Sequence, residues 1–171
     1  TNNAMRHAQG EIIKILFQDD ILARQDSLEL TAQAFLEDVI WMVCGSAVTY
    51  DGHNAKRRVV PRMHPQIRFG KNTLSSPSVL SMRRKKALEF DENLIWLMDV
   101  ELYHRLNKKY CSPKIVPETL VLNQLHEGQV SNTSVTAELR RKELSYVRQK
   151  HKTDETLKDR IAFYRQILIA R

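Results

Sequence analysis

A short apolar segment at residues 11–17 restricts the fold of this chain more than any other feature. Apart from Glu11 and Lys14, every residue in it is isoleucine, leucine or phenylalanine. A run of this length is typical of a strand covered on both faces, as in a parallel sheet. Asp19 and Asp20 follow closely, so the sequence predicts a buried strand with two carboxylates at its carboxyl end.

Strand-like and helix-like segments alternate along the rest of the chain. The predicted elements are, in chain order, a helix ending near residue 8, an amphipathic helix at 27–38, a strand at 39–50, a hairpin return at 57–60, a helix at 95–108, a strand at 115–125 broken near Pro117, and helices from 135 onward. The amphipathic helix is expected to bury Leu28, Ala32, Phe35 and Leu36 on one face. This mixture predicts an α/β fold with a mixed sheet flanked by helices.

Composition limits the classes of partner that the chain is expected to bind. The formal net charge is +7, and basic residues gather at 56–58, 83–86 and 140–152. Such stretches suit nucleic acid, an anionic membrane or phosphorylated substrates, or are simply solvated faces. Aromatic residues are sparse around them, so no nucleic-acid partner is expected. A basic, non-enzymatic module that binds nucleic acid stays the alternative to an enzyme.

Cysteine usage and hydropathy indicate a compartment. Cys44 and Cys111 form no C-x-x-C pair, which disfavours a zinc site and suits a reducing environment. No apolar run reaches the ~20 residues of a membrane-spanning helix, and the N-terminal residues lack a secretion-signal pattern. We therefore expect a cytoplasmic protein, with peripheral association at the cytoplasmic membrane face through residues 140–152 as a further hypothesis.

Two groups of polar residues are candidates for a metal site. Adjacent carboxylates such as Asp19 and Asp20 can hold Mg²⁺ or Mn²⁺ beside substrate phosphates, although one of them can instead cap the next helix. His126 follows an apolar strand region, and imidazole is compatible with Mn²⁺. A metal-dependent nuclease would need more clustered acids than these.

Asp99 lies in a helical pattern whose other members are apolar. Ile95, Leu102 and Leu106 share its face by helical spacing. Burial raises the pKa of a carboxyl, which suits a general base or a partner of a cation. A buried aspartate satisfied by backbone donors or by Arg105 is the alternative.

Ser76, Pro77 and Ser78 follow Ser75 in a short polar segment. Hydroxyls and backbone amides there are able to bind an anion or a sugar. The same pattern is also typical of a helix cap without any ligand.

Taken in order, these segments resemble family 2 glycosyltransferases of the GT-A fold. Residues 2–11, NNAMRHAQGE, resemble the helix before the metal-binding strand, and residues 12–22, IIKILFQDDIL, resemble the strand that ends in the aspartate motif. Residues 76–84, SPSVLSMRR, resemble the acceptor-side segment, and residues 90–102, FDENLIWLMDVEL, resemble the segment that carries the base. His126 falls where the family often has a late metal-binding histidine.

The resemblance implies an inverting transfer from a nucleoside-diphosphate sugar, expected to be a UDP-sugar, to a glycan or glycolipid acceptor in surface polysaccharide synthesis. Asp20 and Asp19, with His126, would hold Mn²⁺ or Mg²⁺ on the donor diphosphate. Asp99 would deprotonate the acceptor hydroxyl. By the same resemblance, donor and acceptor contacts fall on Ser76, Pro77, Ser78, Trp96 and Met98.

The sequence also departs from the family pattern. Phe17 stands where many relatives have aspartate, Ser75 where a glycine is common, and Met98 where an acidic residue precedes the base. The N-terminal βαβ units that bind the nucleotide in this family have no counterpart in these residues. We therefore expect residues 1–134 to form the metal- and acceptor-binding part of a GT-A domain.

Residues 135–171 have no match in the family pattern and are predicted to form a helical extension. Leu157, Ile161, Tyr164 and Leu168 recur at helical spacing. We expect this apolar stripe to pack on the domain or on a partner.

Overall fold

A computed structural model describes residues 1–50, 52–126 and 135–170 of the chain. Its elements, in chain order, are α1 (Asn2–His7), β1 (Ile12–Lys14), β2 (Ile21–Leu22), α2 (Ser27–Gln33), β3 (Trp41–Thr49), β4 (Arg57–Val59), β5 (Leu80–Arg83), α3 (Met98–Tyr110), β6 (Lys114–Gln124), α4 (Ala137–Lys150) and α5 (Leu157–Ile169). The chain is α/β, as the sequence predicts.

The residues divide into two compact units. The first, called the sheet unit here, comprises Thr1–Met63, Thr73–Glu89 and Leu106–His126. The second, called the helical unit, comprises His64–Asn72, Phe90–Arg105 and the described residues from 135 onward. The domain boundary predicted at residue 134 lies outside the described residues.

A mixed sheet forms the sheet unit. Its strands follow the order β1-β5-β3-β6-β2, and β4 pairs with β3 beyond the end of β5. Only the β3–β6 pair is parallel among the described strands, and the other pairs are antiparallel. The predicted mixed sheet is confirmed at this level.

Strand β3 forms the centre of the sheet and is buried along nearly its whole length. Its pairing with β6 shifts register, from Cys44 opposite Val116 to Gly45 opposite Thr119. A β-bulge of this kind leaves residues of one strand unpaired. The break predicted near Pro117 is therefore a bulge within a continuous strand.

The first strand differs from its prediction. Only Ile12–Lys14 is a strand, and it runs antiparallel to β5, with Ile13 opposite Met82. Ile13 is buried, whereas Leu16 is 44% exposed, so only one face is covered. The parallel, doubly covered strand was a wrong prediction, because apolar residues at the outward positions concealed the alternation of a half-buried strand.

Helix α2 ends at Gln33 rather than at residue 38, and of its predicted apolar face only Phe35 is buried. Leu28 and Leu36 are 53% and 85% exposed, whereas Ser27 and Thr31 are buried together with Phe35. The Thr31 hydroxyl donates to the Ser27 carbonyl over 2.8 Å, and Ser27 Oγ accepts from the backbone of residue 24. Hydroxyls that make hydrogen bonds can be buried with little loss of free energy. A search for apolar residues at helical spacing does not reveal such buried polar residues.

The helical unit contains α4, α5 and the first turns of α3. The two C-terminal helices and the break between them are confirmed, and a 3₁₀ turn at Lys152–Asp154 occupies the break. Thr156 and Asp159 form a capping box at the start of α5. Arg68 pairs with Asp159 over 3.1 Å in the interior, with both side chains nearly inaccessible.

Helix α3 starts later than predicted. It begins at Met98 rather than near residue 95, and Ile95 is 48% exposed. Leu102 and Leu106 are fully buried. The predicted apolar stripe is therefore right for these two leucines and wrong for Ile95, because residues 95–97 use their amides to bind a side chain of α4 instead of continuing the helix.

Candidate functional site

Asp20 is held by a short chain of hydrogen bonds in the sheet unit. Ser76 donates from Oγ to Oδ2 of Asp20 over 3.0 Å, and the same Oγ accepts from Nδ2 of Asn123 over 2.6 Å. Asp20 and Ser76 are half-buried and Asn123 is buried. The carboxylate is therefore fixed in direction without being removed from solvent.

The chain of hydrogen bonds continues through two further serines. Oδ1 of Asn123 accepts from Ser75 Oγ over 2.9 Å, and the hydroxyls of Ser75 and Ser46 lie 2.8 Å apart. Ser46 and Asn123 belong to the neighbouring parallel strands β3 and β6. A connected polar network of this kind fixes the orientation of its members.

Sequence reasoning identified Ser76 and Asp20 but missed Asn123 and Ser46. Ser46 interrupts the apolar run of β3, and Asn123 directly follows the apolar residues 120–122 of β6, which was the available signal. Ser75 has a φ of 87°, in the left-handed region where glycine is favoured. A serine there keeps the strained backbone and adds a hydroxyl to the network.

Asp19 and His126 come together in the same unit. His126 Nε2 lies 3.5 Å from Asp19 Oδ2, and the two side chains are 44% and 33% exposed. The sequence predicted both as metal ligands, with Asp20. The structure brings Asp19 to His126 but turns Asp20 toward Ser76.

These residues fit a divalent cation only as part of its shell. Within the described residues, no three histidine, cysteine, aspartate or glutamate side chains are grouped to hold a metal. Asp19 and His126 provide an oxygen and a nitrogen. Mg²⁺ in phosphate-handling sites usually takes one or two carboxylates, with the remaining oxygens from substrate phosphates and water. The Asp19 carboxylate fits that pattern, whereas the His126 nitrogen favours a softer ion than Mg²⁺.

Pro77 and Ser78 follow Ser76 in the chain and are buried. Ser78 Oγ accepts from the amide of Phe17 over 2.9 Å, and Lys14 Nζ donates to the Ser78 carbonyl. Burial lowers the pKa of Lys14, and the nearby Cys44 and Asp20 oppose that shift. Ser78 therefore fixes the end of the first strand, immediately before the acidic residues.

Asp99 lies in the first turn of α3, in the helical unit. Its Oδ2 accepts from Asn72 Nδ2 over 2.7 Å, and its Oδ1 accepts from the Val100 amide over 2.7 Å. Burial among protein atoms raises its pKa to about 7, and the charge of Glu143 adds to the rise, against the backbone donors. The residue is nevertheless only half-buried, so a proton acceptor near neutral pH stays accessible.

Trp96 and Met98 flank the start of α3 and are half-buried. The Arg140 guanidinium lies 5.3 Å from the Trp96 ring centroid. A Cβ added at Gly70 would lie 3.2 Å from the same indole. The Trp96 indole is thus contacted within its own unit, and the residue as a whole is half-buried.

No family model matches the chain, and no curated protein matches it. Among the described residues, no helix has both the length and the apolar composition needed to cross a bilayer. Fold class and site geometry are therefore the observations on which a function can be argued.

Proposed function

We propose that this chain carries the metal- and acceptor-binding part of an inverting, family 2 glycosyltransferase of the GT-A fold. The reaction is transfer of a sugar from a nucleoside-diphosphate sugar, such as a UDP-sugar, to an acceptor hydroxyl. The proposal rests on the order of the family-like segments together with the mixed α/β fold.

The observation that supports this function most directly is the state of Asp99. A general base works best when its pKa lies close to the operating pH. Asp99 has a pKa of about 7, one oxygen bound to Asn72, and part of its surface accessible. An ordinary surface aspartate would be a much weaker proton acceptor.

In the proposed step, Asp99 takes the proton of the acceptor hydroxyl as that oxygen forms a bond to the anomeric carbon. The bond from the anomeric carbon to the donor diphosphate breaks, and the diphosphate leaves with the electron pair. Attack from the face opposite the leaving group inverts the configuration. A carboxylate already held by Asn72 loses little freedom on accepting the proton.

The polar network of the sheet unit provides the second support. Asp19 and His126, with Asp20 nearby in sequence, would hold Mn²⁺ or Mg²⁺, which supplies positive charge for the departing diphosphate. Ser76 and Asn123 fix the direction of the Asp20 carboxylate. Such orientation by outer partners is usual around metal ligands.

The test measures two properties of the same variants. Asp99→Asn is expected to lower sugar transfer from UDP-sugars at least about a hundredfold, the range of a lost general base, while UDP binding in the presence of Mn²⁺ stays within twofold of wild type. Asp19→Asn is expected to weaken Mn²⁺-dependent UDP binding. Asp38→Asn, at an exposed position, is the matched control and should change neither.

Normal turnover by Asp99→Asn would overturn the assigned base. Binding of UDP that is indifferent to Mn²⁺ and to Asp19→Asn would remove the proposed metal role. Salt-sensitive binding of DNA or RNA, without UDP binding, would favour the basic nucleic-acid-binding module instead.

A further inference from the structure

Helix α5 exposes an apolar stripe. Leu157, Ile161, Tyr164 and Leu168 are 73%, 52%, 56% and 60% exposed. They recur at the spacing that places residues on one face of a helix. Four large apolar side chains on one helix face are more than scattered surface residues and indicate an interaction surface.

The helix packs within its unit by a different face. Asp159, Ala162 and Phe163 are buried, and the ring of Phe163 lies 6.0 Å from that of Phe69 in an edge-to-face arrangement. Of the two predicted alternatives, packing on the domain or on a partner, the exposure of the stripe leaves the partner. A smaller apolar surface, together with the buried Asp159 ion pair, fixes the helix and leaves the stripe outside.

Unpaired cations border the stripe on one side. Lys71, Lys158 and Arg165 line a recess of about 170 Å³ together with Gln66, Ile161 and Ala162. Among the described residues, none of these three cations makes a side-chain hydrogen bond or ion pair, and no acidic side chain lines the recess. Ile161 belongs to both the stripe and the recess, so the apolar and basic surfaces are continuous.

The basic stretch at 140–152 differs from the recess because several of its cations form ion pairs or lie over a ring. Arg148 pairs with Glu155 over 2.5 Å, and Lys150 pairs with Asp91 and Glu101. Arg140 lies over the Trp96 ring. Three other cations, Arg141, Lys142 and Lys152, are exposed.

We propose that α5 docks on an anionic lipid membrane, with the apolar stripe in the interfacial layer and Lys71, Lys158 and Arg165 binding lipid phosphates. An amphipathic helix with apolar residues on one face and flanking cations binds in this way. The complementary charge selects this partner, because an apolar protein surface would leave the three cations without counter-charges. The inference does not depend on the proposed transfer reaction.

The experiment uses co-sedimentation of the full chain with phosphatidylcholine vesicles, with and without phosphatidylglycerol. Binding is expected only to the anionic vesicles and should weaken as salt is raised. The triple variant Lys71→Ala, Lys158→Ala, Arg165→Ala should bind about a hundredfold more weakly, from about fivefold for each cation lost at an anionic surface. Ile161→Gln with Leu168→Gln should lower binding at least about tenfold.

The matched control removes the same number of charges elsewhere. Arg141→Ala, Lys142→Ala and Lys152→Ala lie at exposed positions of the same unit. Together they should weaken binding by less than about tenfold, against about a hundredfold for the triple variant at the recess (the recess variant). Circular dichroism and the Tm of all variants should equal those of wild type, because the altered side chains are not part of the core.

Four outcomes would overturn the proposal. Equal binding to neutral and anionic vesicles removes the role of the cations, and no binding removes the surface altogether. Equal losses in the recess variant and its control indicate nonspecific attraction by net charge. A concentration-dependent dimer that the Ile161 and Leu168 substitutions abolish, together with the absence of vesicle binding, assigns the stripe to a second copy of the chain.

Discussion

Asn72 donates a hydrogen bond to Asp99 over 2.7 Å, yet the pKa of Asp99 stands at about 7. A donor to a carboxylate stabilises its charged form and lowers its pKa. Burial opposes that effect, and the negative charge of Glu143 adds to burial. The balance produces a carboxyl group that titrates near neutral pH in a half-buried position.

Asp99→Asn is expected to change the pH dependence of stability. The pKa of Asp99 is about 7 in the folded chain against an ordinary value of 3.8, so between these pH values the folded state holds a proton that the unfolded state has lost. Stability therefore falls as pH rises from about 4 to 7. The asparagine variant lacks this loss and should exceed wild type by about 1–2 kcal/mol at pH 8, after allowance for partial exposure.

Denaturant unfolding at pH 5 and pH 8 measures this difference. At pH 5 the advantage of the variant should be clearly smaller than at pH 8, because the stability of wild type goes on falling until Asp99 ionises in the folded state near pH 7. A constant offset between wild type and variant at both pH values would contradict a raised pKa of Asp99. Asp38→Asn, at an exposed position, should show no pH-dependent difference.

Asn72→Ala should move the titration of Asp99 upward. Loss of the Nδ2 donor removes a contact to the charged carboxylate, and a hydrogen bond of about 1 kcal/mol corresponds to about 0.5–1 pKa unit. The carboxyl ¹³C chemical shift of Asp99, followed by NMR against pH, measures the change. An unmoved or lowered midpoint would show that Asn72 does not stabilise the charged form.

Ser75 combines an unfavourable backbone with a useful hydroxyl. Its φ of 87° favours glycine, while its Oγ joins Ser46 to Asn123. Ser75→Ala loses the hydroxyl and keeps the strain, whereas Ser75→Gly loses both. We expect the glycine variant to be more stable than the alanine variant by about 1 kcal/mol, and thermal unfolding of the pair measures it. An alanine variant as stable as the glycine variant would show that position 75 is unstrained.

The sequence predicts where helices and strands lie better than it predicts how strands pair and which faces are buried. The β3–β4 hairpin, the bulge at Pro117 and the two C-terminal helices all follow from local pattern. The direction of β1 did not follow, because its antiparallel partner β5 is distant in sequence. Pairing between distant segments is set by tertiary contacts that local propensity does not record.

The faces of helices were predicted least well. Leu28 and Leu36 were expected to be buried and are exposed, whereas Thr31 of α2 is buried with a hydrogen-bond partner. In α5, Asp159 is buried with an ionic partner, and the apolar stripe is exposed. Polar residues with hydrogen-bond or ionic partners can be buried in the core, and a search for apolar periodicity omits them. Asn123 was missed at the candidate site for the same reason.

Gly45→Ala should strongly destabilise the sheet unit. A Cβ at this position would lie 2.5 Å from the Pro117 carbonyl oxygen and 2.8 Å from that of Glu118. Both are backbone atoms of the β6 bulge, so they cannot move as a flexible side chain would. A loss of about 3 kcal/mol or more is expected in urea unfolding. Gly10→Ala is the control, because its nearest contact would be an ordinary 3.5 Å.

Glu143 determines where α3 begins, and its removal should have two separable effects. Its buried carboxylate accepts from the amides of Ile95, Trp96 and Leu97 over 2.7, 3.0 and 2.8 Å. Glu143→Gln replaces one accepting oxygen by an NH₂ group that faces these donors, so a loss of about 2–3 kcal/mol is expected in urea unfolding.

The second effect of Glu143→Gln concerns Asp99, whose pKa the Glu143 charge helps to raise. The pKa of Asp99 should therefore fall when that charge is removed, even though the protein becomes less stable. Glu138→Gln, an exposed change in the first turn of the same helix, should alter neither quantity by much. If the glutamine variant is destabilised while the pKa of Asp99 stays at about 7, Glu143 holds the helix start only through its hydrogen bonds, and burial alone accounts for the basicity of Asp99.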